Sequence, residues 1–320
     1  MSAVQEKLVK GQVDLQGQRI GYTLYSVDAR QPEQRHQNDL DRRLDGDLNV
    51  FLPGHGQLAR TARKLIRTIA ENSASHIIWS IDIRPPKGGD PVKAEALLTL
   101  VRERIAAELF PPSTAGPVEP SPVRVTLIGW SHGGGEALWM AGSSADLVAD
   151  LILFCPAGMI ERRCSELLWS FTLECLRIFF HTLFRTPRKL GAFLILMAEI
   201  AAGILGDLFA TGSLRRLKED ICWVCVKAPG PGYGFKGRVV ILYAEDDTVI
   251  RWRDVFPACA VTQDIQNVLD DYRRNNFPCA SQLIVDVLEG NHASPESDAE
   301  LYYQRALAAL MHTSYPGKPG

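Results

Sequence analysis

The sequence carries no excess of either charge. Its 35 Lys and Arg against 37 Asp and Glu leave a formal net charge of −2 over 320 residues. Bulk electrostatics therefore attract neither a polyanion nor an anionic membrane, and nucleic acid is not an expected partner. Cysteine is sparse and odd in number, at seven, which argues against a disulfide framework. The opening Met1-Ser-Ala-Val-Gln-Glu-Lys-Leu-Val-Lys10 lacks the apolar core and small-residue cleavage site of a secretory signal, so a cytoplasmic chain with reduced thiols is expected. Cys222 and Cys225 have redox or zinc spacing, but no second Cys/His pair lies near them in the sequence, and no metal is expected. No internal repeat is evident. The most apolar helical stretch, Phe193 to Ala210, is interrupted by Glu199 and Asp207. Each carboxylate costs on the order of 2.5 to 3.5 kcal/mol near a bilayer centre, which disfavours a spanning helix and leaves room for peripheral contact only.

What is present is an ordinary globular composition, 46% hydrophobic and 22% charged. Val13 to Ser26 forms two alternating runs about Gln16-Gly17-Gln18, a hairpin signal. Val27 to Leu48 is polar and without apolar period. Strand-like runs then alternate with helical ones: Asn49–Leu52, helix 57–72, His76–Ile83, helix 91–109, and a strand from Val123 to Ile128. After a strand from Leu151, the alternation stops. From about Met159 to Tyr233 two strongly apolar helical segments, Leu167–Phe184 and Phe193–Ala210, flank Arg185-Thr-Pro-Arg-Lys189. The first keeps Glu174, Arg177 and His181 on one side, a narrow polar stripe beside a wide apolar face. Alternation resumes with Arg238–Ala244, helix 263–274, Gln282–Leu288 and a closing helix 297–312 with Ser297 as its cap. The expected architecture is α/β, a mostly parallel central sheet flanked by helices. Residues 1–158 and 234–320 form its core, and 159–233 an inserted helical cap that shields an apolar cavity.

The chemistry centres on Gly129-Trp-Ser131-His132-Gly133, where a buried strand passes at once into a helix. So sharp a turn needs glycine where a Cβ would strike neighbouring backbone, and it lifts the Ser131 hydroxyl above the sheet. Glu136 is expected to favour the helix start by its charge. A serine hydroxyl needs a base within reach, and that base needs an orienting group. Of the seven histidines, His36 lies in the polar excursion, His76 opens a buried strand, His181 is in the cap, His312 is near the C-terminus, and His132 would point away from Ser131. Only His292 follows the C-terminal end of a strand, in Gly290-Asn-His-Ala, at the sheet edge where Ser131 emerges and where parallel sheets bind ligands. Asp247 ends the preceding strand at the same edge, with Asp246 and Glu245 as immediate rivals.

Gly129-Trp-Ser-His-Gly133, Ala244-Glu-Asp-Asp247-Thr-Val-Ile and Gly290-Asn-His292 resemble three motifs of the α/β-hydrolase superfamily, a likeness that runs over nearly the whole chain. The resemblance implies Ser131 as nucleophile, His292 as base and Asp247 as orienting acid. Asp246 stays in contention because Ala244 stands where the family has glycine. Pro53-Gly54-His55-Gly56 resembles the family's loop after the third strand, so the oxyanion donors implied are the backbone N–H groups of His132 and of His55, or Gln57 in the other register. The activity implied is acyl transfer to water on a carboxylic ester with a hydrophobic acyl or alcohol part, without metal or organic cofactor. A thioesterase, amidase or acyltransferase on the same residues is the alternative, and a non-catalytic ligand-binding protein of the same fold is the alternative of another class.

Overall fold

The computed structural model describes residues 4–15, 17–30, 47–54, 57–73, 76–83, 90–101, 124–144, 147–159, 164–185, 187, 190–211, 234–256 and 265–311. His36, His55, His312, Cys222 and Cys225 lie outside these residues.

Eight strands form one sheet in the order β1-β2-β4-β3-β5-β6-β7-β8. The strands are β1 (Gln5–Leu15), β2 (Gln18–Asp28), β3 (Asp47–Leu52), β4 (Ile77–Ile83), β5 (Arg124–Trp130), β6 (Val148–Phe154), β7 (Arg238–Ala244) and β8 (Gln282–Leu288). β1 and β2 are the expected hairpin, longer than its apolar alternation suggested, with Leu15 opposite Gln18. β2 meets β4 antiparallel, and every later pairing is parallel. The sheet is thus mostly parallel, as the strand-helix alternation requires.

The helices are α1 (Arg63–Asn72), α2 (Asp90–Leu100), α3 (His132–Ser143), α4 (Cys164–Arg185), α5 (Leu190–Thr211), α6 (Trp252–Val255), α7 (Ile265–Asn276), α8 (Ser294–Ser297) and α9 (Ala299–Met311). The period-two side-chain alternation of the strands divides the core into two layers. Leu48, Val50, Leu52, Val125, Leu127, Val239 and Ile241 face one side with α2 and α3. Phe51, Ile128, Trp130, Ile152, Phe154, Val240 and Leu242 face the other, against α1 and α9. Asp150 of β6 and Arg238 of β7 join by two hydrogen bonds of 2.7 Å, and Arg238 also donates to the Leu310 carbonyl at 2.8 Å, tying the closing helix to the sheet.

Four local expectations are corrected. α1 begins at Arg63, not residue 57, because residues 59–62 form turns and Ala62 takes a left-handed φ of 62°. Glu136 sits beyond the first turn of α3, buried, 3.2 Å from the His132 Nδ1, so its partner is a side chain and not the helix terminus. Ser297 closes the short α8 and donates to the Asp298 carboxylate at 2.7 Å; the long helix starts only at Ala299.

The fourth correction concerns α4 and α5, which follow β6 and precede β7 where the alternation stops. The described side chains of α4 that are buried are Glu174 and Thr182, whereas Trp169, Leu173, Leu176, Phe180, Leu183 and Phe184 are exposed. Of the polar stripe Glu174 is buried while Arg177 and His181 are exposed at the rim, so the helix does not bury a wide apolar face as its pattern suggested. The cavity beneath α4 and α5, about 1010 Å³, is correspondingly rich in charge, lined among others by Arg60, Lys64, Glu199 and Glu296. No helix among the described residues is long and apolar enough to cross a membrane.

Backbone packs closely where α3 leaves β5. A Cβ on Gly133 would collide with the carbonyl oxygens of Leu52 and Pro53 in β3 and its loop, atoms that cannot move without breaking the sheet. Gly133→Ala is expected to cost about 3 kcal/mol or more, read as a lowered midpoint in chemical denaturation.

Candidate active site

Ser131 occupies the one-residue junction between β5 and α3, at φ 55° and ψ −119°. A non-glycine residue rarely adopts this conformation, and here its surroundings over-determine it. Its N–H donates to Phe154 O at 3.0 Å, and its carbonyl accepts from Gly134 N and Ala157 N, each at 2.9 Å. Gly129 and Gly133 meet so closely behind it that a Cβ on Gly129 would lie 2.5 Å from the Gly133 oxygen. With its backbone fixed on three sides, Ser131 turns its hydroxyl away from the sheet.

The hydroxyl meets His292. The distance from Ser131 Oγ to His292 Nε2 is 2.9 Å, and from His292 Nδ1 to Asp247 Oδ2 it is 2.7 Å. The loop after β8 sets the imidazole in place: Gly290 has φ 134°, Asn291 N–H donates to Ser294 Oγ at 2.8 Å, and Ala293 N–H donates to Asn291 Oδ1 at 3.0 Å. The Trp130 indole N–H, one residue before the serine, holds the His292 carbonyl at 3.2 Å.

Asp247, not Asp246, reaches the histidine. Asp247 is 3% exposed, and its Oδ1 accepts the N–H groups of Val249 and Ile250 at 2.7 and 2.8 Å. Asp246 turns outward, where its carboxylate is 3.5 Å from Arg177 Nη2. The Asp246 N–H donates to Gly290 O at 2.8 Å, so the loops bearing Asp247 and His292 are joined directly. Glu245 is likewise exposed.

Burial, the largest influence on the His292 ring, opposes its protonation. The charge of Asp247, its hydrogen bond and the charge of Glu174 together outweigh burial and hold the imidazole above the usual histidine value of 6.5. Such a histidine holds its proton to higher pH than a free imidazole, and as an imidazolium it is stabilised by its carboxylate.

For the oxyanion donors, His132 opens α3 directly after the serine, at the positive end of the helix. The Gln57 N–H donates to Gly54 O at 3.1 Å while its side-chain Oε1 accepts the Gly54 N–H at 2.7 Å. Gln57 therefore closes the turn after β3 on itself, which removes the reason to assign its N–H to an oxyanion. His55 lies outside the described residues.

Cys155, Asp247 and His292 have their ligand-type atoms within 4.8 Å of one another. Both Asp247 oxygens are already engaged by Val249, Ile250 and His292, and burial, reinforced by the Asp247 charge, pushes the Cys155 thiol well above its ordinary value. The set behaves as a hydrogen-bonded unit and not as a metal cage.

Residues that sequence reasoning did not assign also converge here. Glu174 of α4 is 2% exposed; its Oε2 accepts the Thr248 hydroxyl at 2.6 Å, and its Oε1 lies 3.4 Å from the His292 backbone N–H. Trp130, Thr248, Asn291 and Ser294 shape the two loops. The signal for Glu174 was its stripe with Arg177 and His181; nothing in the pattern said that Glu174 alone of the three is buried.

No protein-family model and no curated protein matches the chain. Solved structures do, at low identity. An esterase from the thermophile Thermogutta terrifontis is 13% identical with a TM-score of 0.57, over 95% of this chain and 98% of that one. The chain has the α/β-hydrolase fold. 2-Hydroxy-6-oxo-6-phenylhexa-2,4-dienoate hydrolase from Rhodococcus sp. strain RHA1 is 12% identical, TM-score 0.57, over 96% and 100% of the two chains. A peroxisomal α/β-hydrolase from Saccharomyces cerevisiae is 14% identical, TM-score 0.53, over 99% and 92%. In this α/β-hydrolase-fold chain Ser131, Asp247 and His292 all lie at the C-terminal edge of the parallel strands, where such sheets bind ligands.

Titrated by NMR, the His292 imidazole is expected to protonate above 6.5, and Asp247→Asn to lower that value, because the variant removes the carboxylate while burial persists.

Proposed function

We propose that the protein is a serine hydrolase that cleaves a carboxylic ester through an acyl-enzyme. The observation that carries this reading is the unbroken hydrogen-bond chain from Asp247 through His292 to Ser131, ending on a strained residue. His292 takes the proton of the Ser131 hydroxyl as its oxygen adds to the ester carbonyl. Asp247 holds the tautomer in which Nδ1 carries the hydrogen and stabilises the imidazolium that forms. The imidazolium returns its proton to the departing alkoxide. The neutral imidazole then takes a proton from water as the water oxygen attacks the acyl-enzyme, and passes it to Ser131 Oγ as the carboxylic acid leaves. The His132 N–H and a second N–H, which we assign to His55, hold the oxyanion; each such donor is worth about 2.7 to 4 kcal/mol in the transition state.

The esterase among the similar structures supports an ester as the scissile group, and the apolar inserted helices support a hydrophobic acyl or alcohol portion. Thioesters and amides would react at the same three residues, and the acceptor depends on the shape of the pocket. The exposed Trp169, Phe180 and Phe184 of α4 support peripheral contact with lipid, since outward aromatic residues on a helix suit the membrane interface.

The test is a fluorophosphonate probe read by intact mass and peptide mapping. One adduct on Ser131, absent in Ser131→Ala, is expected, together with hydrolysis of p-nitrophenyl esters. Asp247→Asn is expected to lower kcat about 10⁴-fold, because the imidazole loses its tautomer. Absence of any adduct on folded wild type would overturn the hydrolase reading in favour of a ligand-binding protein. The rate of ester hydrolysis is expected to fall as pH drops through a value above 6.5, since only the neutral imidazole of His292 acts as base.

A further inference from the structure

Glu174 is a buried carboxylate that the hydrolytic mechanism does not use. It comes from α4, the helix inserted between β6 and β7, 118 residues before the His292 it approaches. Its two oxygens touch both loops of the catalytic set: Oε2 accepts the Thr248 hydroxyl, next to Asp247, and Oε1 faces the backbone N–H of His292 itself. One turn later on the same helix, Arg177 donates to the Asp246 carbonyl at 2.9 Å and lies 3.9 Å from Glu174 Oε2. Residues 174 and 177 therefore grip Asp246 and Thr248, the two neighbours of Asp247.

A carboxylate taken out of water to 2% exposure costs several kcal/mol unless it is well partnered. Glutamine or serine would bond Thr248 and carry no such cost. What the charge adds is its effect on the imidazole: Glu174 is, after Asp247, the second negative group favouring the protonated ring. Among the described residues, the titratable groups nearest the ring are Asp247 from the loop after β7, Glu174 from α4 and Cys155 after β6; the cation Arg177 stands behind Glu174, 3.9 Å from its Oε2.

We propose that Glu174 is a positioning residue for the acyl-transfer reaction, a carboxylate borne by the inserted helix that fixes the His292 and Asp247 loops together and stabilises the imidazolium. The proposal rests on the hydrolase reading for its catalytic consequence, but not for its electrostatic one. While α4 is seated, His292 has two negative neighbours and its backbone N–H has an acceptor. When α4 is displaced, both Glu174 contacts go, and the base is weaker and less well held.

The test compares wild type with Glu174→Gln, which keeps the size and an acceptor oxygen but removes the charge, and with Thr248→Val, which removes the hydroxyl alone. Two readouts are taken: NMR titration of the His292 imidazole, and the pH dependence of both Ser131 labelling by fluorophosphonate and ester hydrolysis. Thermal melting confirms that each variant is folded. In Glu174→Gln the imidazole is expected to titrate at lower pH, the acid limb of kcat/KM to move the same way, and kcat to fall roughly tenfold or more with KM little changed. Glu174→Asp is expected to restore the titration in part. Thr248→Val is expected to lower kcat without moving the titration, because the charge is still there. An unchanged His292 titration together with unchanged kcat in folded Glu174→Gln overturns the proposal. A lowered titration in a protein whose Ser131 takes no label overturns the hydrolase reading instead, and leaves Glu174 as the electrostatic partner of His292.

Discussion

The site depends on one steric constraint, the contact of the first turn of α3 with the backbone of β3. Gly133 touches the carbonyls of Leu52 and Pro53 so closely that no side chain fits, and Gly129 meets the same turn from the strand side. Because α3 must start there, the chain has a single residue in which to reverse from extended to helical, and that residue is held at positive φ. An L-residue is disfavoured in such a conformation by 1–3 kcal/mol, and the surrounding sheet supplies the compensation. The neighbouring strands are fully buried on both faces, and the hydrogen bonds of Ser131 to Phe154 and Ala157 extend the β5 to β6 register past the strand end. The position of the hydroxyl is thus a consequence of packing, and a loop placement would not define it as closely.

The second constraint is electrostatic. Asp247 is nearly inaccessible to water, yet no charge is left uncompensated: two backbone N–H groups hold one oxygen and the His292 ring holds the other. In a medium of low dielectric an unpartnered carboxylate would protonate sooner than remain charged, and a neutral acid could not stabilise an imidazolium. The amides of Val249 and Ile250 solvate the group where water cannot. The apolar pair after Asp247 therefore has two functions, since its side chains are buried in the core and its backbone solvates the acid.

Much of this arrangement was legible in the residues. Period-two runs gave β5 and β7, and the turn motif placed Ser131 between strand and helix, since both are signals a few residues long. The choice of His292 followed from a topological rule, that ligands meet the C-terminal edge of parallel strands. What resisted reading were features decided by contacts between distant segments. Asp246 and Asp247 differ by one position, and only the closure of Asp247 onto its own following amides separates them. Gln57 looked like a donor until its N–H proved to be spent on Gly54. The stripe of Glu174, Arg177 and His181 was visible, but periodicity records which residues share a face and not which face is turned down. The general rule that a helix buries its wider apolar side did not foresee that Trp169, Phe180 and Phe184 of α4 are exposed.

The exposure of those apolar side chains has an energetic meaning. Apolar burial is strong and non-directional, contributing roughly 25 cal/mol per Å² removed from water, whereas hydrogen bonds are individually weak but fix position. α4 has its directional contacts in Glu174 and Arg177, and leaves Trp169, Phe180 and Phe184 in solvent. Its seat over Asp247 and His292 is therefore closely specified while its buried apolar area is small, which is the combination that marks elements at the low end of local stability. The β5 to β7 core shows the reverse, with largely buried apolar strands and the serine held by backbone alone. Ser131 accordingly sits on the closely packed part of the molecule, and the Asp247 and His292 loops sit where that part meets a segment anchored by Glu174 and Arg177.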